Sequence, residues 1–458
     1  MWNRSLSVMG VLLVALMGAV RAQNATLQIN EAALRAGQVS FNASGFQYNS
    51  VVSLLPGLQA RTAGTNFSST NSTAVVPVNR VSLTLNRTGV DYTTVMLSAT
   101  EQNLFSTIIG LFSTGAFSLR YAINNLNNYA WVLGDYQTIL HLRITGINLG
   151  VSVNPTSALL NLAVPAILTP NTTPSDILLH VNSFDHFRNG YTSSALGQIS
   201  MLHTVPMQFS LATASTKFTF SNGATGVSDP NGLTSALQYM VTAPQGGTTI
   251  SLGTTKQKFY SVATVPVGNK TSLTPQIKIG AAALKQHFIN KGVYSTTFDL
   301  QVQDKDTTPS VSKTTTNNLT VQVADMGELK LSNAAVDLAF TSADHYRNGV
   351  SSTLAEHITV SKTTPYQVSV RANSANFTFG PNVIPVSSLQ IGPATGETGV
   401  NTIAELSTQS QVLISSNVPQ VDKKYGIRYA IPSIKTAALI NKAKGKYTAV
   451  ITYTLTAL

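Results

Sequence analysis

One eleven-residue phrase closes three successive stretches of this 458-residue chain. It starts at Gly134-Asp135-Tyr136, at Gly292-Val293-Tyr294 and at Gly445-Lys446-Tyr447, with spacings of 158 and 153 residues. Each copy is a glycine turn followed by alternating apolar and polar residues, the signature of a strand with one buried face. A second phrase, Asp185-His186-Phe187-Arg188-Asn189-Gly190, returns 159 residues later as Asp344-His345-Tyr346-Arg347-Asn348-Gly349. Val205–Leu211 matches Thr364–Val370, Phe218–Phe220 matches Phe377–Phe379, and Leu119–Ile123 matches Ile427–Ile431. Several phrases in one order at one period mean copies of a single module. The expected limits are 23–145, 146–304 and 305–458.

The modules read as all-β. Runs of four to seven residues rich in Val, Ile, Thr, Phe and Tyr, broken by Gly, Pro or Asn clusters, predict three tandem Ig-like β-sandwich modules. Short helices are expected over Glu101–Leu111 and Ala282–Ile289. The run Asp306–Asn318 reads as an inter-module linker, and Thr169–Pro174 as a loop between strands.

Only 10% of residues are charged, 43% are apolar, and there is no cysteine. That apolar share supports large cores, and the absence of Cys excludes disulfide scaffolds, thiolate metal sites and Cys nucleophiles. Val8–Val20 is a 13-residue apolar stretch after a short basic start, with Val20 and Ala22 placed for cleavage after Ala22. A signal peptide over 1–22 and an exported mature chain at the cell surface, outside the cell or in the periplasm are therefore expected. No later stretch is long and apolar enough for a membrane span.

The seven histidines contain no pair at i, i+2 or i, i+4, so no metal or other cofactor is expected. Asp185 and His186, with their copies Asp344 and His345, could do acid–base work or hold a sugar hydroxyl. The reading favoured here is structural: Asn189-Gly190 and Asn348-Gly349 supply positive φ to a tight turn, Asp185 and Asp344 bond nearby amides, and Arg188 and Arg347 complete the phrase. No nucleophile elbow or phosphate loop occurs, so catalysis is not expected. Seven basic residues, Lys423, Lys424, Arg428, Lys435, Lys442, Lys444 and Lys446, lie within one short stretch of a chain of net charge +11. They are either a solvated face or a surface for an anionic polysaccharide or envelope component. Tyr425 and Tyr429 among them are expected to be packed, which argues against sequence-specific nucleic-acid binding. The nine Asn-x-Ser/Thr sequons beyond residue 22 would be glycan acceptors only in a eukaryotic secretory route. The short alternating strand at Ala25–Ile29 and the final strand at Tyr447–Leu455 could exchange with a second copy, or the copies could stack end to end.

The Gly-x-Tyr closing strand resembles that of bacterial surface β-sandwich modules: chaperone–usher pilins, spore-coat-U-type domains and WxL-type domains. The tandem phrases are similar to those of secreted multi-repeat bacterial proteins. The chain departs from pilins in lacking a Cys pair and from WxL domains in lacking Trp-x-Leu. The resemblance implies an exported structural or adhesive protein, possible fimbria-like subunit included, with no catalytic residues. The alternative is a carbohydrate-active enzyme or polysaccharide-binding accessory protein with its site at a module junction.

Overall fold

The computed structural model describes residues 24–49, 52–70, 73–105, 115–149, 152–172, 175–222, 232–305 and 311–458. The expected signal peptide lies outside these residues, as does 106–111 of the first expected helix; Gln102–Phe105 is a strand. The helix expected near Ala282 forms over Ala281–His287.

The closing phrase makes a strand in each repeat for a reason visible in its first three residues. The Tyr136 hydroxyl donates to the carbonyl of Val132 at 2.9 Å, that of Tyr294 to Asn290 at 3.3 Å, and that of Tyr447 to Ala443 at 2.8 Å. Each hydroxyl thus ties down the residue four positions earlier, and the Tyr136 ring folds back over Gly134. A Cβ on Gly134 would stand 3.1 Å from the Tyr136 ring, and φ there is +158°.

The fold is all-β. Buried apolar side chains gather in three clusters, each fed by the facing sides of two sheets. In the first, the strands Ala25–Gln28, Ser157–Val164, Gly134–Leu149, Val52–Thr62 and Gln102–Phe105 lie in that order in one sheet. They face Ser152–Asn154, Val39–Asn49, Gly115–Ile123, Ser82–Arg87 and Val90–Met96. The strict buried/half-buried alternation of residues 117–123 and Ser157–Val164 is the period of two that a half-buried strand dictates. The second cluster repeats the plan. Ile177–Val181, Ser312–Val323, Gly292–Asp304, Met207–Thr213 and Gln257–Val262 face Leu168–Thr172, Ile199–His203, Lys270–Ile279, Leu237–Ala243 and Ile250–Ser251.

Two expectations about connections are corrected. The run read as a linker is a strand from Ser312 onward, paired antiparallel with Gly292–Gln303 along its length. Its Ser/Thr/Lys composition is that of an exposed, β-branched strand surface, which composition alone does not separate from a loop. The expected loop at Thr169 is part of the strand Leu168–Thr172, paired with Ser200–His203. The strands also cross the expected limits. Gly134–Leu149 runs through residue 145, and Ser157–Val164 and Ser312–Val323 complete the sheet of the core that precedes them in the chain.

The third cluster departs from the plan. Ile451–Ala457, Tyr366–Ala372 and Gln411–Ser416 form a sheet of three strands, facing Gly327–Leu331, Gly349–Lys362, Gln420–Pro432 and Gln390–Pro393.

Candidate functional site at the junctions and the third sheet

The Asp-His-aromatic-Arg-Asn-Gly phrase is a short helix, not the tight turn expected: Phe184–Asn189 in one copy and Ala343–Asn348 in the other. Ser183 caps the first by accepting from the Asp185 amide at 3.1 Å, a bond the sequence pattern missed because Ser precedes the phrase. Only the glycines take positive φ, +89° at Gly190 and +78° at Gly349; Asn189 and Asn348 do not. Each glycine presses against backbone, so that a Cβ at Gly190 would stand 3.0 Å from the Ile279 carbonyl. His186 packs edge-on against Tyr191, while the His345 Nδ1 accepts from the Thr341 amide at 3.1 Å. The two histidines therefore do different local jobs, and among the described residues no three His, Cys, Asp or Glu converge as a metal site.

The residue of this helix that reaches the third core is its arginine. The Arg188 guanidinium donates to both oxygens of Asp422, the shortest bond being 2.7 Å, and to Glu328. Both carboxylates belong to one sheet of the third core, so Arg188 joins the second core to the third. Hydrogen bonds from Arg188 hold Asp422 below the usual carboxylate range. Glu328 is also held low, by Lys330 first and then Arg188. The corresponding helix of the first core, Glu31–Ala36, places Arg35 in the same register before Gly37. Arg35 reaches Asn171 at 2.5 Å and the carbonyl of Pro170 at 3.5 Å, both in the first strand of the second core. In the third copy Arg347 pairs, among the described residues, with Asp344 on its own helix, at 3.3 Å, and both side chains are about three-quarters exposed, 76% and 73%.

A second contact locks each junction. Asn269, wholly buried with φ +57°, accepts from the Trp131 amide at 3.1 Å and donates to the carbonyls of Trp131 and His203 at 2.7 and 2.8 Å. Its burial also removes it from the sequons able to carry a glycan. At the next junction Asp325 bridges Lys291, at 3.1 Å, and Lys362, and these cations hold its carboxyl low, Lys362 foremost.

Three of the seven basic residues are paired with acids. Lys424 pairs with Glu356 at 2.5 Å, Lys435 with Glu405, and Lys446 with Asp337 at 3.5 Å. Lys423 lies 5.4 Å over the Tyr425 ring. Arg428, Lys442 and Lys444 are exposed. The strand Gln420–Pro432 turns its Lys and Arg outward while Tyr425 and Tyr429 are 3% exposed, so the aromatics are core residues as expected. The Tyr366 and Tyr425 hydroxyls bond at 2.8 Å, and burial pushes the Tyr429 phenol up to about 12.

The third sheet has an open side. In the first core Ser157–Val164 lies between the closing strand and the parallel Ala25–Gln28; in the second, Ser312–Val323 lies between the closing strand and the parallel Ile177–Val181. By register, Val336–Phe340 corresponds to Ile177–Val181, each leading into its copy of the short helix. No strand of the described residues lies between it and the third closing strand, and Val336–Phe340 is not itself a strand. The consequences run along the phrase. Gly292–Asp304 is regular for 13 residues, whereas the third copy becomes a strand only at Ile451 and runs for seven. Tyr294, Phe298, Leu300 and Val302 are buried; Tyr447, Ile451, Tyr453 and Leu455 are only half-buried. Ile177, Leu179 and Val181 are buried; Val336, Leu338 and Phe340 are half-buried.

No family model matches the chain, and no curated protein does. Among solved structures it is similar to a chaperone–tip adhesin subunit complex, CsuC–CsuE, of the archaic chaperone–usher Csu pili of Acinetobacter baumannii (13% identity, 62% of this chain and 99% of that one, TM-score 0.31). The CupB6 tip adhesin of Pseudomonas aeruginosa gives 12% identity over 62% and 91% of the two chains, TM-score 0.27. CfaE, the adhesive subunit of CFA/I fimbria of enterotoxigenic Escherichia coli, gives 10% over 66% and 98%, TM-score 0.27. Scores this low equate no folds, and the functional reading rests on the chain's own sheets and junctions.

Proposed function

We propose that the chain is an exported structural protein of a bacterial surface, built from three β-sandwich modules that hold one another in register and act by presentation rather than catalysis. The observation that carries this is strand sharing. The strands that open the second and third repeats, Ser157–Val164 and Ser312–Val323, complete the sheets before them, and an arginine from each completed unit then grips the first strand of the next. A chain so interlocked is suited to transmit load and to fix the spacing of its modules. The module cores then take in about 24–167, 168–325 and 326–458, each opening strand counted with the sheet it completes.

Adhesion, a fimbria-like assembly and an anionic envelope partner are the finer parts of this proposal. For the last, the exposed Arg428, Lys442 and Lys444 are the available cations. The rival, a glycan-cleaving or glycan-binding accessory protein, needs a cleft with converging carboxylates. The cavity described between Pro170, Met201, Leu300 and Lys313 has room for about one water, about 10 Å³, and no carboxylate lines it. Antibody labelling of intact producing cells, with and without surface proteolysis, tests the reading. Label on the cell exterior that proteolysis removes is expected; confinement to the cytoplasm, or release of sugar from a polysaccharide by the purified chain, contradicts it.

A further inference from the structure

We propose that the joint between the first and second cores is an acid-released hinge, in which protonation of His203 frees the first core to pivot while the joint between the second and third stays closed. This adds a regulation to the interlocked modules of the reading above and takes from that reading only the interlock.

The two joints share one backbone clamp. The Thr204 hydroxyl donates to the Pro165 carbonyl at 2.7 Å and accepts from the Ile167 amide at 2.8 Å. The Thr363 hydroxyl donates to the Ala324 carbonyl and accepts from the Met326 amide, both at 2.9 Å. The Thr204 amide donates to the Ile167 carbonyl at 3.1 Å, and the Thr363 amide to that of Met326 at 3.2 Å. Each threonine carbonyl then accepts from the core before it, from the amides of Leu133 and Lys291, at 2.8 Å. Thr204 and Thr363 are buried, so both clamps are closed to water.

The clamp sets the two joints in register, and that register pairs His203 with Lys362 and Ala166 with Asp325. In the second joint the residue before the threonine is a cation, and the residue before Met326 is the acid that holds it. In the first joint an imidazole replaces the cation and alanine replaces the acid.

His203 is fully buried, in a site shaped for the neutral ring. The Val205 carbonyl, which only accepts, stands 2.8 Å from Nδ1, so Nδ1 carries the proton and Nε2 accepts from the Thr271 hydroxyl at 2.9 Å. Its neighbour Leu202 packs into the first core, and its own carbonyl takes the Asn269 side chain. The strand Leu168–Thr172 sets Leu168 opposite it, and on the strand of Thr271 the Lys270 side chain is exposed. Tyr129, on the segment that Asn269 grips, lies under Arg80. The two acids on elements that meet this strand or the residues after it are otherwise engaged. Glu31 bonds Thr169 at 3.1 Å and pairs with Arg35, and Asp304 accepts from the Val311 amide at 3.3 Å. Among the described residues no carboxylate pairs with the ring.

A proton on Nε2 therefore places a cation in a dry site without an acid, and burial already holds the His203 pKa below 6.5. Opening the joint lets water solvate that charge. The open state takes up the proton at the ordinary value and the closed state only below it, so acid favours opening. The second joint, whose cation already has its acid, stays closed until Asp325 titrates, below its ordinary 3.8. Acid thus reverses the order of the joints, and the neutral one yields first.

Spin-label distance distributions in the full chain test this. The chain has no cysteine, so Thr93→Cys with Lys258→Cys spans the first joint and Lys258→Cys with Gln409→Cys spans the second, all at exposed positions. Both distributions are expected to be narrow at about pH 7.5. Between about pH 6.5 and about pH 4.5 the first should broaden reversibly, its open-to-closed ratio rising by up to about tenfold per pH unit, while the second stays narrow. His203→Gln should remove the pH dependence, as should His203→Lys with Ala166→Asp, which moves the second joint's pair into the first. The reverse exchange, Lys362→His with Asp325→Ala, should make the second joint acid-sensitive, a joint-specific gain that misfolding does not mimic. The proposal is overturned by a first joint that stays narrow down to about pH 4.5, by equal broadening at both joints, or by an unchanged pH dependence in His203→Gln. A reverse exchange that folds and leaves the second joint narrow overturns it too. None of these outcomes bears on cell-exterior labelling, so the two readings fail separately.

Discussion

Asn269 and Asp422 occupy the same place in two successive repeats. Each has left-handed backbone, φ +57° and +56°, each precedes a lysine on a long strand, and each faces the core before its own. What they grip differs. Asn269 is fully buried and bonds backbone groups of Trp131 and His203, with no charge involved. Asp422 is part-exposed and holds the side chain of Arg188 as an ion pair. One position therefore makes a dry, neutral junction in one copy and a wet, ionic one in the next. The lesson is that repeat architecture conserves the place of a joint while leaving its chemistry free. The neutral joint should be the stronger and the ionic joint the more responsive to solution conditions.

The sharpest way to break this contrast is Asn269→Ala. It leaves the Trp131 amide and two carbonyls without their partner and puts Ala at positive φ, so a loss of about 3–4 kcal/mol is expected, measured as a fall in the denaturation midpoint. Arg188→Ala should cost less, about 1–2 kcal/mol after solvent screening of side chains that are a quarter to a third exposed, and should loosen only the second joint.

Acid should separate the joints in order. His203, beside Asn269, bonds Val205 and Thr271 and has its pKa lowered below 6.5 by burial. Its contribution is present above that ordinary value and is lost as pH falls through the lower folded value, because the unfolded chain takes up the proton first. Asp422, Glu328 and Asp325 are likewise depressed, from ordinary values of 3.8, 4.5 and 3.8, so the ionic joint keeps its contribution until pH falls below about 4. A pH titration of stability should show two steps, the upper removed by His203→Gln and the lower reduced by Arg188→Ala, which takes away the Asp422 share and leaves Lys330 on Glu328 and Lys362 on Asp325. Raising salt to about 1 M should weaken the Arg188 joint and leave the Asn269 joint alone. Arg35→Ala, on a side chain 42% exposed, should change stability by less than about 0.5 kcal/mol.

Much of this was legible in the sequence. The closing phrase announces its strand because Gly, Tyr and the alternation are all local, and the helix at Ala281 follows from its own residues. The Asp185–Gly190 phrase was visible as a repeat, yet its role was not, because Arg188 meets Glu328 and Asp422 only once 140 and 234 residues of chain have folded. The lysine cluster shows the same limit: Glu356, Glu405 and Asp337, from distant parts of the chain, pair with three of its members. Strand sharing was hidden most completely. Ser312–Val323 has the composition of a linker, and its burial comes from the parallel neighbour Ile177–Val181, a pairing no local pattern encodes.

Among the described residues, two closing strands are covered by the chain that follows them and the third is not. Residue-resolved hydrogen exchange of the full chain at neutral pH tests it directly. Slow exchange is expected along Gly134–Ile144 and Gly292–Asp304, and exchange at least about a hundredfold faster over 445–457. Equal protection of all three strands in a monomeric chain would contradict it.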